Sequence, residues 1–196
     1  QAVGAIRLDV QAMKIDALAA GGQKWQMSPH GTGFLYITEE LQAKIHQKNL
    51  GWLSVEDPWD FYNYGQGLDR TARRYEGGSL VMPSLWGMHA ALGTILEFGP
   101  EQIESHILGL AQTLIEGLRT IKGIELYTPA EPNEHAGIVT IKLPRHVDSK
   151  AVFKKFLARN ITPALREGML RFSPHFYCTL DEMRSTVEAT VESLKP

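Results

Sequence analysis

Residues 16–37 read DALAAGGQKWQMSPHGTGFLYI. The small apolar run Ala17–Ala20 stops at a Gly-Gly pair, and Gly33–Ile37 is rich in residues that favour strands, which predicts a strand there. Lys24 lies between them, directly after two glycines that let a ligand approach the backbone, and beside Trp25. Apolar surroundings favour the neutral amine that a Schiff-base nucleophile needs. On local features alone, however, a solvated lysine is the commoner case.

Two further segments carry candidate binding residues. In Met169–Ser173 the period of two places Arg171 on one face of a predicted strand and large apolar residues on the other, where a guanidinium can bind a carboxylate. An ordinary salt-bridged arginine is the simpler interpretation. In Glu76-Gly-Gly-Ser79, which follows Arg73-Arg74, backbone amides could bind a phosphate, although such a sequence more often makes only a turn.

The composition excludes several classes of protein. The chain has 196 residues, 43% of them apolar, which suits one large soluble domain or two small ones, and its net charge of −2 gives no basic footprint for nucleic acid. The single cysteine, Cys178, excludes a disulfide framework and fits a reducing, cytoplasmic compartment. The apolar stretch Leu80–Leu96 is too interrupted to span a membrane. Seven scattered histidines lack ligand spacing, so no metal site is predicted.

Composition and periodicity divide the chain at about residue 98. The first part, 1–98, is rich in glycine and aromatic residues, and its loop 51–78 is either functional or packed against a partner. The second part, 99–196, is a compact α+β module. The sequence predicts five helices: Glu39–His46 with Thr38 as N-cap, a helix from Leu85, a helix from Pro100 closed by Gly123, a helix at about Asp148–Ala158, and a last helix near the end of the sequence. The last helix opens with the capping box Thr179–Glu182 and is expected to bury Met183, Val187, Val191 and Leu194.

Read together, these segments resemble class V aminotransferases, pyridoxal-phosphate enzymes of the aspartate aminotransferase fold (fold type I). Residues 16–37 are similar to the family's cofactor-lysine segment, and Arg73–Leu80 to its phosphate-contacting segment. Arg171–Thr179 is similar to the substrate-carboxylate segment, and Gln1–Val10 to the stretch that opens with a cofactor-hydroxyl glutamine. The resemblance implies an α/β fold class: the C-terminal portion of the large PLP-binding domain over 1–98, and the complete small α+β domain over 99–196.

The resemblance also implies a role for each matching residue. Lys24 would carry pyridoxal 5′-phosphate as a Schiff base and move a proton at the α-carbon of an amino-acid substrate. Gln1 would bond the ring hydroxyl, and Gln23, where the family often has histidine, would contact the phosphate. Gly78-Ser79 would contact the phosphate as well, Ser79 characteristically from the neighbouring subunit of a homodimer. Arg171 would hold the substrate α-carboxylate.

Departures from the family pattern leave the reaction open between a transaminase, an epimerase and a lyase. A desulfurase that forms a cysteine persulfide is disfavoured, because Arg166–Leu170 has no cysteine and Cys178 lies downstream. The aromatic loop 52–64 resembles relatives of isopenicillin-N epimerase.

Because the chain starts at Gln1 inside a motif, we expect it to be the C-terminal half of such an enzyme, without the aspartate that pairs with the pyridine nitrogen. Apolar surface should then lie open over 1–98 until another chain covers it. The alternative is a folded fragment that does not bind the cofactor by itself and only mediates dimer or domain contacts.

Overall fold

The segment that carries Lys24 folds as a hairpin in the computed structural model, which describes residues 1–195. Strands β1 (Ala17–Gly21) and β2 (Gly33–Ile37) pair antiparallel, with Ala17 opposite Ile37 and Gly21 opposite Gly33. The strand predicted at Gly33–Ile37 is confirmed, and the small apolar run that precedes the glycine pair is its partner. The pairing places the two ends of the lysine loop side by side.

Two compact units divide the described chain. The first comprises Gln1–Val3 with Leu8–Glu97, and the second comprises Gly4–Arg7 with the described residues from Phe98 onward. The main division thus falls within two residues of the change in composition. Within residues 1–195, no helix is both long and apolar enough to cross a membrane.

Short elements make up the rest of the first unit. Helix α1 (Glu39–Lys44) begins after Thr38, whose hydroxyl accepts a hydrogen bond from the Leu41 N–H at 3.3 Å, so the predicted N-cap is confirmed. The helix ends two residues before His46. Two 3-10 turns follow at Trp52–Ser54 and Ala72–Tyr75. Helix α2 (Met82–Phe98) starts three residues earlier than predicted.

The first unit buries little apolar surface. Its buried apolar side chains are Ala20, Trp25, Met88 and Ile95. Many large apolar side chains are instead exposed, among them Phe34, Leu35, Val81, Met82, Trp86 and Leu96. The predicted open apolar surface over 1–98 is therefore confirmed, and its covering by another chain stays a prediction.

The second unit packs three helices on a four-stranded antiparallel sheet of order β3–β4–β6–β5. Pro100 begins α3 as predicted, but the helix ends at Leu118, and Gly123, with φ +88°, lies in the turn beyond it. Strand β5 has three residues and was not predicted. The remaining bounds are β3 Glu125–Leu126, β4 Val139–Lys142, α4 Ser149–Leu157, β5 Ala164–Arg166, β6 Met169–Phe172 and α5 Leu180–Ser193.

Helices α3 and α5 cross closely over this sheet. A Cβ on Gly117 would lie 2.5 Å from a methyl carbon of Val187, so glycine permits the approach. The capping box of α5 is confirmed: the Thr179 hydroxyl accepts from the Glu182 N–H at 3.2 Å, and the Glu182 carboxylate accepts from the Thr179 N–H at 2.6 Å. The core itself consists of fully buried side chains, including Leu110, Leu114, Ile115, Leu118, Ile141, Phe156 and Leu170.

The predicted buried face of α5 is partly wrong. Met183 is buried, but Val191 is 42% exposed. Thr186 and Thr190 lie in the interior instead, where their hydroxyls donate at 2.8 Å to the carbonyls of Glu182 and Thr186. A threonine whose hydroxyl is bonded within its own helix presents a methyl group to the core. These two residues therefore do what apolar residues were expected to do.

Candidate functional site

The loop that carries Lys24 is closed by its own backbone. The Gly22 N–H donates to the Thr32 carbonyl at 2.9 Å, and the Ser28 N–H donates to the Gly22 carbonyl at 2.9 Å. A Cβ on Gly22 would lie 2.8 Å from the Ser28 Cβ and 2.9 Å from the Thr32 Oγ1, so a larger residue would force these groups apart. The Met27 N–H donates to the Lys24 carbonyl at 3.0 Å. These contacts fix the backbone at Lys24.

Exposure changes abruptly along this loop. Lys24 and Gln23 are exposed, whereas Trp25 and Gln26 are 6% and 1% exposed. The prediction that Trp25 gives Lys24 apolar surroundings is therefore wrong for the described chain, because Trp25 is buried while the lysine stays in solvent. The Gln23 side chain lies over the end of β1, since a Cβ on Gly21 would meet its Oε1 at 2.7 Å.

The turn that contains Gly78 and Ser79 is braced by the 3-10 turn at Trp52–Ser54. The buried Ser54 hydroxyl donates to the Glu76 carbonyl at 3.4 Å. A Cβ on Gly78 would lie 3.4 Å from the Trp52 Nε1. Ser79 itself is exposed, so its hydroxyl is accessible to a ligand.

The closest backbone approach of this region lies just before Gly78. A Cβ on Gly51 would fall only 1.6 Å from the Gly77 carbonyl oxygen, so no side chain fits there. The Gly51 N–H also donates to the Ser54 Oγ at 3.1 Å. The backbone at Gly51 is thus packed directly against the backbone at Gly77.

The two arginines that precede the glycine pair have structural partners. Arg73 forms an ion pair with Asp69, and its Nη2 donates to the Val55 carbonyl at 3.2 Å. Hydrogen bonds from the Thr71 hydroxyl and N–H, together with Arg73, lower the pKa of Asp69 to about 2. Arg74 Nε donates to the Gln47 side-chain oxygen at 3.0 Å. Both guanidinium groups therefore brace the loop, a role that their sequence position gave no sign of.

Arg171 lies in the middle of the sheet of the second unit. It is level with Thr140 of β4 and Ala164 of β5, and its neighbours Leu170 and Phe172 are buried in the core. The predicted alternation of this strand is confirmed. The Arg171 Nε is buried and has no hydrogen-bond partner within residues 1–195. The Nε–H can therefore donate a hydrogen bond to an anion that residues 1–195 do not supply.

The hairpin before Arg171 leaves no room for an extended loop. Strands β5 and β6 are joined at Glu167 and Gly168, whose φ angles are +50° and +79°, with Arg166 opposite Met169. Two central residues with positive φ are typical of a tight hairpin turn. Cys178 lies elsewhere, half-buried ahead of α5, and burial raises the pKa of its thiol.

The predicted site residues therefore fall into separate groups. Gln23 and Lys24 share one loop of the first unit, Gly78 and Ser79 share another, and Gln1 is exposed near its start. The hydrogen bonds and ion pairs described for residues 1–195 do not join the two loops. Arg171 belongs to the second unit. Over the same residues, no three His, Cys, Asp or Glu side chains are grouped to hold a metal ion.

Comparison with known proteins gives one consistent result. An uncharacterized aminotransferase, YcbU of Bacillus subtilis (strain 168), is 29% identical over 188 residues, which cover 96% of this chain and 48% of that protein. Isopenicillin N epimerase of Amycolatopsis lactamdurans is 29% identical over 206 residues, covering 100% and 51% of the two chains. The apo structure of a cysteine desulfurase from Thermococcus onnurineus NA1 superposes with a TM-score of 0.87 at 25% identity, over 98% of this chain and 50% of that one.

The chain thus spans about half the length of the curated relatives that it matches. The match to the fold type I enzyme structures confirms the predicted fold class as a partial α/β fold of that type. The pattern of the aminotransferase class-V family covers residues 1–184. This chain, with its lysine loop, glycine turn and strand arginine in the expected order, belongs to the aminotransferase class-V family.

Proposed function

We propose that the chain contributes Lys24, the turn at Gly78-Ser79 and Arg171 to an enzyme that uses pyridoxal 5′-phosphate to act on an amino acid. Class V aminotransferases and their structural relatives carry this cofactor. Because the chain spans about half the length of its relatives, the proposal concerns the activity of the whole protein.

The buried Nε of Arg171 carries the proposal. A charged group that is withdrawn from water without a partner is costly, so structural arginines in such positions are normally paired. This Nε lacks a partner among residues 1–195, and it lies on the face of the sheet opposite the core. A planar carboxylate matches the fork of a guanidinium. Arg171 would therefore bind and orient the α-carboxylate of the substrate.

The residues of the first unit fit the cofactor. Lys24 is exposed on a fixed backbone, so its amine is accessible for covalent attachment. The Ser79 hydroxyl and the Gln23 amide are exposed donors for a phosphate, and the backbone at Gly78 carries no side chain that would block one. Gln1 would bond the ring hydroxyl. When bound, pyridoxal 5′-phosphate withdraws electrons from the bonds of the substrate α-carbon.

The chain's own side chains then define the chemistry. Arg171 fixes one end of the amino acid, and Lys24 is the amine that would remove a proton from the α-carbon or return one to it. The tight packing of Gly22 against Ser28 and Thr32 keeps the Lys24 backbone in place during this transfer. Transamination, epimerisation and elimination all use such a step.

Persulfide-forming desulfurase chemistry is less favoured. That reaction needs a reactive thiolate, and the hairpin before Arg171 has only Glu167 and Gly168 at its turn. The half-buried Cys178, the only cysteine in the sequence, has a raised thiol pKa, which lowers the fraction of thiolate at neutral pH. Among the relatives, the epimerase is an example of an enzyme with a different reaction.

A second candidate is a fragment that does not bind the cofactor alone and serves in dimer or domain contacts. The exposed apolar side chains of the first unit favour this role, since patches of this kind mark surfaces that bind another chain. A second copy of the chain, in a homodimer, is the partner that the family resemblance implies.

Covalent trapping distinguishes the two candidates. The chain is incubated with pyridoxal 5′-phosphate, reduced with borohydride, digested and mapped by mass spectrometry. We expect the adduct on the peptide that contains Lys24, its loss in Lys24→Ala, and its retention in the matched control Lys14→Ala, which removes another exposed lysine of the same unit. Equal labelling of all exposed lysines would support the fragment that does not bind cofactor.

A further inference from the structure

The segment between α1 and α2 forms a pocket whose lining includes none of the residues proposed to bind the cofactor or the substrate. We call it the aromatic pocket. It encloses a cavity of about 350 Å³, within the range of small-molecule sites. Its lining includes the side chains of Trp52, Asp60, Phe61 and Tyr64.

The rings of Trp52 and Phe61 line the pocket, and both pack at an angle against Trp59, which does not line it. The Trp52 and Trp59 centroids are 5.5 Å apart with planes inclined by 59°, and Trp59 meets Phe61 at 6.1 Å and 83°. Trp52 and Phe61 are 6.1 Å apart at 51°. Such a cluster offers ring faces in more than one direction. The Tyr64 side chain, 95% exposed at the rim, is accessible to a ligand.

This loop is held in shape without a ligand. The Gln66 side chain accepts from the Asp57 N–H at 2.8 Å and donates to the carbonyls of Asp57 and Asp60 at 3.0 and 3.3 Å. Below it, Val55 bridges to Leu68, and the Glu56 N–H donates to the Gly67 carbonyl at 3.0 Å. A pocket on such a braced loop is preformed, so binding does not have to order the chain.

The one charged side chain in the lining of the pocket is acidic. Asp60 lines the cavity, and the lining side chains include no lysine, arginine or histidine. Of the nearby acids, Asp57 accepts from the Trp59 N–H at 3.1 Å, and Glu56 lies 3.8 Å from Arg70. No ion pair within residues 1–195 uses the Asp60 carboxylate. Aromatic faces next to a carboxylate attract a weakly hydrated cation.

We propose that the aromatic pocket binds an organic cation of the alkylammonium class. The ring faces of Trp52 and Phe61 would contact the alkyl groups, Tyr64 would close over them, and the Asp60 carboxylate would supply the countercharge. A neutral apolar group of the same shape would keep the contact area but lose both electrostatic attractions.

Calorimetric titration of the full chain with choline and with its neutral isostere 3,3-dimethylbutanol tests the proposal. We expect choline to bind with a dissociation constant on the order of millimolar, at least about fivefold more tightly than the isostere, as cation–π attraction at an accessible site implies. Raising the salt concentration should weaken choline alone. Equal binding of the two compounds, or no binding of choline, would overturn the proposal.

Three variants locate the site. Asp60→Asn and Tyr64→Ala should each weaken choline binding about threefold or more, within the range of such contacts. Tyr62→Ala is the matched control, because Tyr62 is 92% exposed on the same loop but does not line the cavity. All three side chains are exposed, so far-ultraviolet circular dichroism should be unchanged. An equal loss in Tyr62→Ala and Tyr64→Ala would place the cation elsewhere and refute the assignment.

Discussion

Replacing Gly51 by alanine should displace the turn that carries Gly78 and Ser79. The Cβ would lie 1.6 Å from the Gly77 carbonyl oxygen, whereas real Cβ atoms essentially never approach a heavy atom within 3.0 Å. The two backbones would therefore have to separate by about 1.4 Å to reach that limit. Neither group is a flexible side chain that could turn aside. Overpacking of this kind typically costs about 1–3 kcal/mol, which is the loss of unfolding free energy that we expect for Gly51→Ala.

Gly77→Ala is the matched control for Gly51→Ala, because it changes the other partner of the same contact. A Cβ on Gly77 would meet nothing within 4 Å, so Gly77→Ala should stay within about 0.5 kcal/mol of the parent chain. Urea unfolding followed by tryptophan fluorescence measures the effect, since every tryptophan lies in the first unit: Trp25, Trp52, Trp59 and Trp86. If Gly51→Ala and Gly77→Ala unfolded at the same urea concentration, the close approach of the two segments would be refuted.

Three further substitutions probe other contacts. Asp69 has a lowered pKa. Its contribution to folding stability is therefore complete above its ordinary value of 3.8 and is lost as the pH falls through about 2. Asp69→Asn should remove this contribution already at neutral pH, so that stability followed by tryptophan fluorescence depends less on pH in the acid range. Leu114→Ala, at a fully buried position, should cost about 2–5 kcal/mol in thermal unfolding followed by circular dichroism, and a loss below 1 would contradict the described core. Thr179→Ala should cost about 1 kcal/mol in the same assay through loss of the α5 cap, and no loss would mean that the cap is dispensable.

Features set by local chemistry were predicted well from the sequence. Thr38, Pro100 and the capping box at Thr179 all lie where expected, because a cap depends on a few adjacent residues. Strand β5 was missed because three residues are too few to show alternation, and its pairing partner decides its existence. Val191 was placed in the core because threonine counts as polar in a periodic pattern, although bonded threonines fill that face.

At the candidate site, too, features set by adjacent residues were predicted and contacts between distant residues were not. The order of the segments led to the assignment of Lys24 and Arg171 as site residues, which stays a prediction, whereas the predicted alternation around Arg171 was correct. The surroundings of Lys24 were not predictable, since Trp25 is adjacent in sequence but lies on the buried side of the loop. The bracing role of Arg73 depends on the backbone carbonyls of Val55 and Glu56, which are distant in sequence and which no local pattern reveals.

The sheets of the two units differ in how they would behave on heating. In the second unit the outer strands β3 and β5 have only two and three residues, too short to recruit a further strand. In the first unit, β1 and β2 have five residues each, and their outer edges are unpaired within residues 1–195. Phe34 and Leu35 on β2 are exposed as well. Aggregation of this chain should therefore start at the lysine hairpin, and a peptide strand that pairs with that edge should delay it.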